Sequence, residues 1–324
     1  MKNPTVINYP GSKNESHFHT AFEHMFKVVS EDYKIFETCI GGNGIQPYSF
    51  TDKRYKEYII SDYDMNILNI YLYIRNSPFG LLNTCKELCC KIKQEFNSKI
   101  LLNSENFDVI SKFIKNHFKF QDVVLQNVIL TMFEKACPFQ NKNNLSLEKH
   151  LKHFQANYSN IPDLHKQLHN ATILNTLPDD QRDLHALLKN HHKEKDIFWL
   201  IDPPYYLTDK FYDSNSPNYC FHENLAKQLN KTKGKFCLFL RINASRANNS
   251  KDNEAIDYAL FNFYDTFYSD KKYYVYCDDF QNKKYFINYR GNGTLEAMIT
   301  NFSYTNAYPL DEVFQNYWNE VLDA

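Results

Sequence analysis

The sequence carries almost no net charge. Its 324 residues include 37 lysines and arginines and 38 aspartates and glutamates, and the isoelectric point is about 6.9. This balance excludes an overall basic field that would hold a polyanion. Any nucleic acid must therefore be bound by local groups, with weak nonspecific affinity and a strong dependence on salt.

Long apolar runs are missing as well. No stretch approaches the roughly 20 apolar residues that a membrane helix needs. The first residues, MKNPTVINYPGSKNE, also lack the apolar centre of a signal peptide. We therefore expect a cytoplasmic protein without a membrane partner.

Neither a disulfide framework nor a metal centre is expected. The 8 cysteines do not form a dense framework in a chain of this length, so reduced thiols are predicted. Cys85 and Cys89 share one helical face, but no second pair of cysteines or histidines follows at finger spacing to complete a zinc site. The 12 histidines are interpreted as polar residues on helix surfaces.

The spacing of apolar residues predicts the fold class. The segments YKIFETCIGGNG and KEYIISDYDMNILNIYLYIR have the pattern of strand, turn, strand and helix. This pattern begins a βαβ unit and predicts an α/β fold with a parallel sheet covered by helices. Aromatic and β-branched segments near the end, such as KKYYVYCDD and LEAMITNFSY, predict antiparallel strands that make the sheet mixed.

The middle of the chain has a different pattern. Helical spacing dominates residues 76–169, where polar loops such as PFQNKNNLS interrupt it. The sequence therefore predicts two parts. Residues 1–75 and 170–324 form the α/β domain, and residues 76–169 form a mostly helical insertion.

An acid and two prolines follow a short apolar run in the segment FWLIDPPYY. The run predicts a buried parallel strand that ends at Ile201, and ligands of open α/β sheets bind where such strands end. Pro203 and Pro204 remove two N–H donors, so the Asp202 carboxylate and the Pro203 carbonyl form a stiff pair of acceptors. This pair suits an exocyclic amino group, and Tyr205 adds a flat face for a flipped base. A strand terminator with a surface aspartate is the structural alternative.

The tetrapeptide DPPY is the signature of amino-group methyltransferases, and further segments of the chain fall in the order of one family. These segments are NYPGSK, FETCIGGNG, YIISDYDMNILNIY and GNGTLEAMITNF. Together they resemble the motifs of the Dam-like N6-adenine DNA methyltransferases. The resemblance covers roughly residues 5–75 and 170–305.

The resemblance implies a Rossmann-like class I methyltransferase with a mixed seven-stranded sheet, in which residues 76–169 form the target-recognition region. It also implies transfer of a methyl group from S-adenosyl-L-methionine to the N6 amino group of adenine after base flipping. The substrate would be double-stranded DNA, methylated in a sequence-specific way. The setting would be restriction-modification in a bacterium or a phage-infected host, with a cognate endonuclease or a defence-system partner.

The resemblance further implies how S-adenosylmethionine is held. Gly41 and Gly42 let the backbone approach its amino-acid tail, because no Cβ intervenes. Asp62, after a strand, is set to bind the ribose hydroxyls, and Lys13 at a helix start favours the tail carboxylate. The predicted cofactor-binding residues are Tyr9, Pro10, Gly11, Lys13, Glu37, Cys39, Gly41, Gly42, Asn43, Asp62, Tyr63 and Asp202. The predicted catalytic residues are Asp202, Pro203, Pro204 and Tyr205.

Local basic and polar groups are the candidates for nucleic-acid contact. Arg290 and Asn292 lie in the turn NYRGNG, close to the expected site. Lys233 belongs to the segment KQLNKTKGK, which contains no acid, although a solvated surface is the alternative interpretation there. The hairpin with which the family reads its target is not recognisable in the chain, so no target sequence is predicted.

The glycine turn departs from the pattern of the family. Asn43 stands where the family has its second turn glycine, and Thr38 and Cys39 replace a proline and a phenylalanine. Asparagine tolerates the left-handed conformation, so the turn can persist with reduced cofactor affinity. The alternatives are a ribosomal RNA adenine methyltransferase, a cytosine N4 methyltransferase with the same acceptor chemistry, and a catalytically silent nucleic-acid-binding module of a defence system.

Overall fold

A computed structural model gives the fold of most of the chain. The residues that it describes are 5–8, 16–42, 55–118, 122–137, 145–174, 183–204, 219–243, 273–282, 288–290 and 294–323. The strands in these ranges are β1 (Lys34–Thr38), β2 (Glu57–Ser61), β3 (Ala171–Ile173), β4 (Ile197–Ile201), β5 (Lys235–Asn243), β6 (Tyr274–Tyr276), β7 (Asn288–Arg290), β8 (Thr294–Thr300) and β9 (Ala307–Pro309). The helices are α1 (Ser16–Phe26), α2 (Met65–Asn76), α3 (Pro78–Glu95), α4 (Ser104–His117), α5 (Val123–Glu134), α6 (Leu147–Tyr158), α7 (Ile161–Leu168), α8 (Leu184–His191), α9 (Tyr219–Leu229) and α10 (Leu310–Asp323).

The described strands form one mixed sheet. Its order is β3-β2-β1-β4-β5-β8-β6-β9, and β7 pairs with β8. Strands β1, β4 and β5 are parallel, whereas β8 runs antiparallel to β5, β6 and β7. An α/β fold with a mixed sheet is therefore confirmed.

The predicted number of seven strands is wrong, because the sheet of the described residues has nine strands. Two of them are short strands near the end of the chain. β7 pairs with the first residues of β8, and β9 pairs with β6 at the end of the order. The core order β3-β2-β1-β4-β5 is that of doubly wound α/β sheets. In this order the chain moves outward in one direction from β1 and then resumes at β4 on the other side of β1.

Contact density divides the chain into two compact units. Unit 1 comprises Met1–Asn14, Ile40–Asp52 and Ile60–Leu177, and unit 2 comprises Glu15–Cys39, Lys53–Ile59 and Pro178–Ala324. Between residues 76 and 169 the described residues contain helices α3 to α7 and no strand of the sheet. The boundaries predicted for the domains stay a prediction.

Unit 2 is built around β4, the central strand whose five residues are all buried. The run IFWLI consists of β-branched and aromatic side chains and one leucine, which suits a strand with both faces covered. The ring of Trp199 lies 4.6 Å from that of Phe36 on the neighbouring strand. Gly234 precedes β5 where an added Cβ would lie only 2.6 Å from the Ile197 carbonyl oxygen. Glycine therefore allows β5 to start close beside β4.

Unit 1 is mainly helical. Helix α2 buries an apolar stripe, and the Asp64 side chain caps its start by accepting the Asn66 N–H at 2.9 Å. At the other end of α2, the Arg75 guanidinium donates to the Ala171 carbonyl at 2.6 Å and so ties the helix to β3. No helix in the described part of the chain is long and apolar enough to cross a membrane.

Candidate functional site

The chain leaves β4 at Asp202. Ile201 is the last strand residue and lies opposite Thr38, the last residue of β1, in the parallel register. The order of the sheet reverses between these two strands, and ligands of doubly wound sheets bind at such a reversal, beyond the carboxyl ends of the strands. Asp202 and Pro204 are half-buried there, and Pro203 is buried. The prediction of a buried strand that ends at Ile201 is confirmed.

A second carboxyl group lies close to Asp202. Glu37 belongs to β1 and is only 2% exposed. Its side chain accepts a hydrogen bond from the Tyr58 hydroxyl group, which is also buried. Burial, and then the negative charge of Asp202, raise the pKa of Glu37 well above its ordinary value. Glu37 therefore favours the protonated form, and Asp202 directly follows the end of β4.

A buried histidine is bonded to the turn that follows β4. His222 lies on α9, is 4% exposed, and forms a hydrogen bond with the backbone of Pro204. Proline has no N–H, so the imidazole must donate this bond to the Pro204 carbonyl. Burial lowers the pKa of His222 to about 4, the hydrogen bond opposes this shift, and nearby His185 adds slightly to it. His222 is therefore neutral at neutral pH.

The interpretation of the histidines as helix-surface residues is wrong for His222 and His150. His150 is 1% exposed, and its Nε2 lies 2.8 Å from the Phe133 carbonyl oxygen. Its Nδ1 lies 3.2 Å from the sulfur of Cys137. Both histidines satisfy polar groups inside a core, and their partners are too distant in the sequence for the pattern to indicate.

The turn after β1 has two residues in the left-handed conformation. Cys39 has φ of 58° and Gly41 has φ of 46°. Glycine adopts this conformation without steric cost, whereas cysteine is strained in it. Gly42 is buried next to them. The predicted glycine turn is thus present, and the strained residue is one that departs from the family pattern.

Gly41 is held on both sides within unit 1. Its N–H donates to Asp62 Oδ2 at 3.0 Å, and its carbonyl accepts from the Tyr71 hydroxyl at 2.8 Å. Asp62 Oδ1 also accepts the Asp64 N–H at 2.9 Å. Burial raises the pKa of Asp62 to about 6, although both N–H bonds oppose the shift. Asp62 therefore anchors the glycine turn, a role that its position after a strand does not indicate.

Tyr63 differs from its neighbour Asp62 in being open to solvent. Tyr63 is 62% exposed, which is high for a tyrosine two residues beyond a buried strand. Exposed aromatic rings at strand ends offer a flat face for a planar ligand. The structure thus leaves this predicted cofactor-binding ring accessible.

Several predicted site residues lie outside the described residues. These are Tyr9, Pro10, Gly11, Lys13, Asn43, Tyr205 and Asn292. Arg290 ends β7, and only its backbone is described. The predictions for these residues stay predictions.

The lysines of the predicted basic segment have unequal roles. Lys233 is exposed, as a nucleic-acid contact requires, and its backbone N–H donates to the His192 carbonyl at 2.8 Å. Lys227, in contrast, forms an ion pair with Glu223 at 2.6 Å. The Lys235 ammonium lies over the rings of Tyr33 and Phe302, 5.3 and 5.0 Å from their centres. Only part of this segment therefore offers charge to a partner.

Comparisons with known proteins add no relative. The sequence matches no known family model, and no curated protein is significantly similar to it.

Proposed function

We propose that the protein is an S-adenosylmethionine-dependent methyltransferase that modifies the N6 amino group of adenine in DNA after base flipping. The observation that carries this proposal is the Asp-Pro-Pro turn at the end of the central buried strand β4. The turn lies where the sheet order reverses, between β1 and β4. The resemblance of the motif order to the Dam-like family supports the same function.

The turn has the chemistry that an amino group needs. The Asp202 carboxylate and the Pro203 carbonyl are acceptors, and neither proline supplies a competing N–H donor. An exocyclic amino group that donates both its protons to this pair is held in a fixed direction. These bonds draw the nitrogen lone pair away from the ring, so that the nitrogen becomes a better nucleophile. Stacking on an aromatic face would contribute about 1–3 kcal/mol to holding the flipped base.

The buried Glu37 supports this assignment of roles. Burial, and then the charge of Asp202, raise the pKa of Glu37 and favour its protonated form, and its bond with Tyr58 keeps it in place. A protonated Glu37 would bring no second negative charge to the Asp202 acceptor.

The described residues fit S-adenosylmethionine by the chemistry of their donor and acceptor atoms. When bound, this cofactor supplies an electrophilic methyl group. Gly41 and Gly42 would approach its amino-acid tail, and Asp62 would accept from the ribose hydroxyls with the oxygen lone pairs that its two N–H bonds leave. Tyr63, whose side chain is exposed, would cover the adenine ring.

Part of the proposal concerns partners and location. Sequence-specific, double-stranded DNA is the proposed substrate, and residues 76–169 are the proposed reading region. A cognate endonuclease or a defence-system component is the proposed partner in a bacterial or phage-infected cell. Such a substrate would place the protein in the cytoplasm.

The test is transfer of a labelled methyl group. The full chain is incubated with methyl-labelled S-adenosylmethionine and either plasmid DNA or total RNA, and the digested product is separated into nucleosides. N6-methyladenine from DNA is expected. Label in RNA alone would identify a ribosomal RNA adenine methyltransferase. Label in N4-methylcytosine would identify a cytosine N4 methyltransferase. Absence of label in every nucleoside would reject the function in favour of a binding module.

The same assay tests the role of Asp202. Asp202→Ala should lower turnover at least 100-fold, because an acceptor of the amino group is lost, while donor affinity changes little. Asp196→Ala is the matched control, since Asp196 precedes the same strand at its other end and forms a surface ion pair with Lys56 at 3.8 Å. Turnover of Asp202→Ala equal to that of the control would refute the assignment.

A further inference from the structure

The two prolines stiffen the turn after β4, but they supply no backbone N–H donor that could tie it to the rest of the fold. Pro203 and Pro204 donate no backbone hydrogen bond, so the sheet ladder cannot continue through them. The ring of Pro204 fixes φ but not ψ, which sets the direction of the Pro204 carbonyl. His222 contacts this carbonyl from outside the turn.

His222 occupies a position where the helix pattern calls for an apolar residue. Leu225, Ala226 and Leu229 follow it at the spacing of one helical face, and each is at most 1% exposed. His222 is itself 4% exposed and belongs to this buried stripe. A polar residue on the apolar stripe conflicts with the helix pattern, and such conflicts are expected at functional sites.

The surroundings of His222 keep it a neutral hydrogen-bond donor. His185 on α8 lies close enough to disfavour a positive charge on the His222 ring. His185 is held by the Phe221 ring, 4.6 Å away, and its Nδ1 lies 3.4 Å from Gln228 Oε1. A neutral imidazole carries one N–H proton, and this proton must lie on the nitrogen that donates to the Pro204 carbonyl.

We propose that His222 is a positioning residue, which holds the Pro204 carbonyl and thereby fixes the direction of the Asp202 and Pro203 acceptors. The effect of His222 on methyl transfer rests on the proposed function. Its effect on the direction of the Pro204 carbonyl does not. His222 does not contact the amino group in this scheme. It acts only through the turn.

The test compares two replacements with the wild-type chain. His222→Leu suits the apolar stripe and removes the donor, whereas His222→Gln keeps a donor of similar reach. In the methyl-transfer assay, kcat of His222→Leu should fall about 10- to 100-fold, as expected for misplacement of reacting groups. The KM for the methyl donor should change less than about twofold, and His222→Gln should recover at least part of kcat.

His192→Leu is the matched control. Its Nδ1 lies 2.6 Å from the Lys189 carbonyl oxygen, so the same kind of histidine-to-carbonyl contact is removed before β4, at the opposite end of the strand from the turn. This variant should leave kcat unchanged. A kcat of His222→Leu equal to that of the control would overturn the catalytic part of the inference.

Hydrogen exchange provides a readout that needs no activity. Peptides that cover residues 197–204 should exchange faster in His222→Leu than in the wild type, His222→Gln or His192→Leu. Equal exchange in all four proteins would overturn the positioning role. If the wild type transfers no methyl group but the exchange differs as expected, the proposed function fails while the contact of His222 with the turn stands.

Discussion

Replacing Asp62 with asparagine should change how the stability of the protein depends on pH. Asp62 is 8% exposed, and burial raises its carboxyl pKa from 3.8 to about 6. The unfolded chain therefore loses this proton near pH 3.8, whereas the folded protein keeps it up to about pH 6. The stability that this group contributes is present in full below the lower value and is lost as pH rises through the higher one.

The size of the effect follows from the shift. A difference of about two pKa units corresponds to about 3 kcal/mol of unfolding free energy. Asparagine does not titrate, but its single carbonyl oxygen replaces two carboxylate oxygens that accept from Gly41 and Asp64. The lost bond should cost about 1 kcal/mol. Asp62→Asn should therefore be about 1 kcal/mol less stable than the wild type near pH 4 and about 2 kcal/mol more stable at pH 7.

Urea unfolding at a series of pH values between 4 and 7.5 measures this crossover. Asp163→Asn is the control, because Asp163 is an exposed acid of α7 that pairs with Lys166 at 3.0 Å. The control should show no crossover, since surface ion pairs contribute at most about 1 kcal/mol. Parallel stability curves for Asp62→Asn and the wild type would refute the reasoning and would mean that water reaches the Asp62 carboxyl group.

Two further substitutions test the glycine turn that follows β1 and the strand β1 itself. Cys39→Gly should be about 1 kcal/mol more stable than Cys39→Ala in urea unfolding, because only glycine relieves the left-handed backbone at φ of 58°. At most other positions the alanine variant is the more stable one. A more stable Cys39→Ala would therefore show that the strain is absent. Glu37→Gln should gain unfolding free energy relative to the wild type as pH rises above 4.5, since the glutamine carries no charge beside Asp202. If the difference in unfolding free energy between this variant and the wild type does not change with pH, the raised pKa of Glu37 is contradicted.

Local patterns predicted the elements that carry the candidate site. The apolar run before Asp202 predicted a buried strand, and β4 ends at Ile201 as expected. The segment KEYIISDYDMNILNIYLYIR predicted a strand followed by a helix, and β2 and α2 follow one another there. These signals depend on residues close in sequence, so composition and spacing are sufficient. The terminal helix α10 was missed, although its acidic first turn and its apolar spacing from Leu310 onward are the usual signals of a helix.

The polar contacts of the site could not be predicted in the same way. Glu37 and Asp202 are far apart in the chain and meet only because β1 and β4 pair in parallel. The bond from His222 to Pro204 depends on where α9 packs, and helix spacing alone favours an apolar residue at that position. Tertiary packing thus decides which polar residues become part of a site.

Two of the buried acids work against the stability of the folded protein at neutral pH. Glu37 and Asp62 both have raised pKa values, so ionising either one inside the fold costs more than ionising it in the unfolded chain. A neutral amide at either position would avoid this cost, and chains retain such residues where function needs them. In the proposed function, a cationic methyl donor would stabilise the ionised form of an acid near which it binds, and binding would return part of the lost stability. One cause would then account for both effects. The removal of water from a carboxyl group lowers the stability of the fold at neutral pH, and it also strengthens the attraction of the acid for a cationic donor.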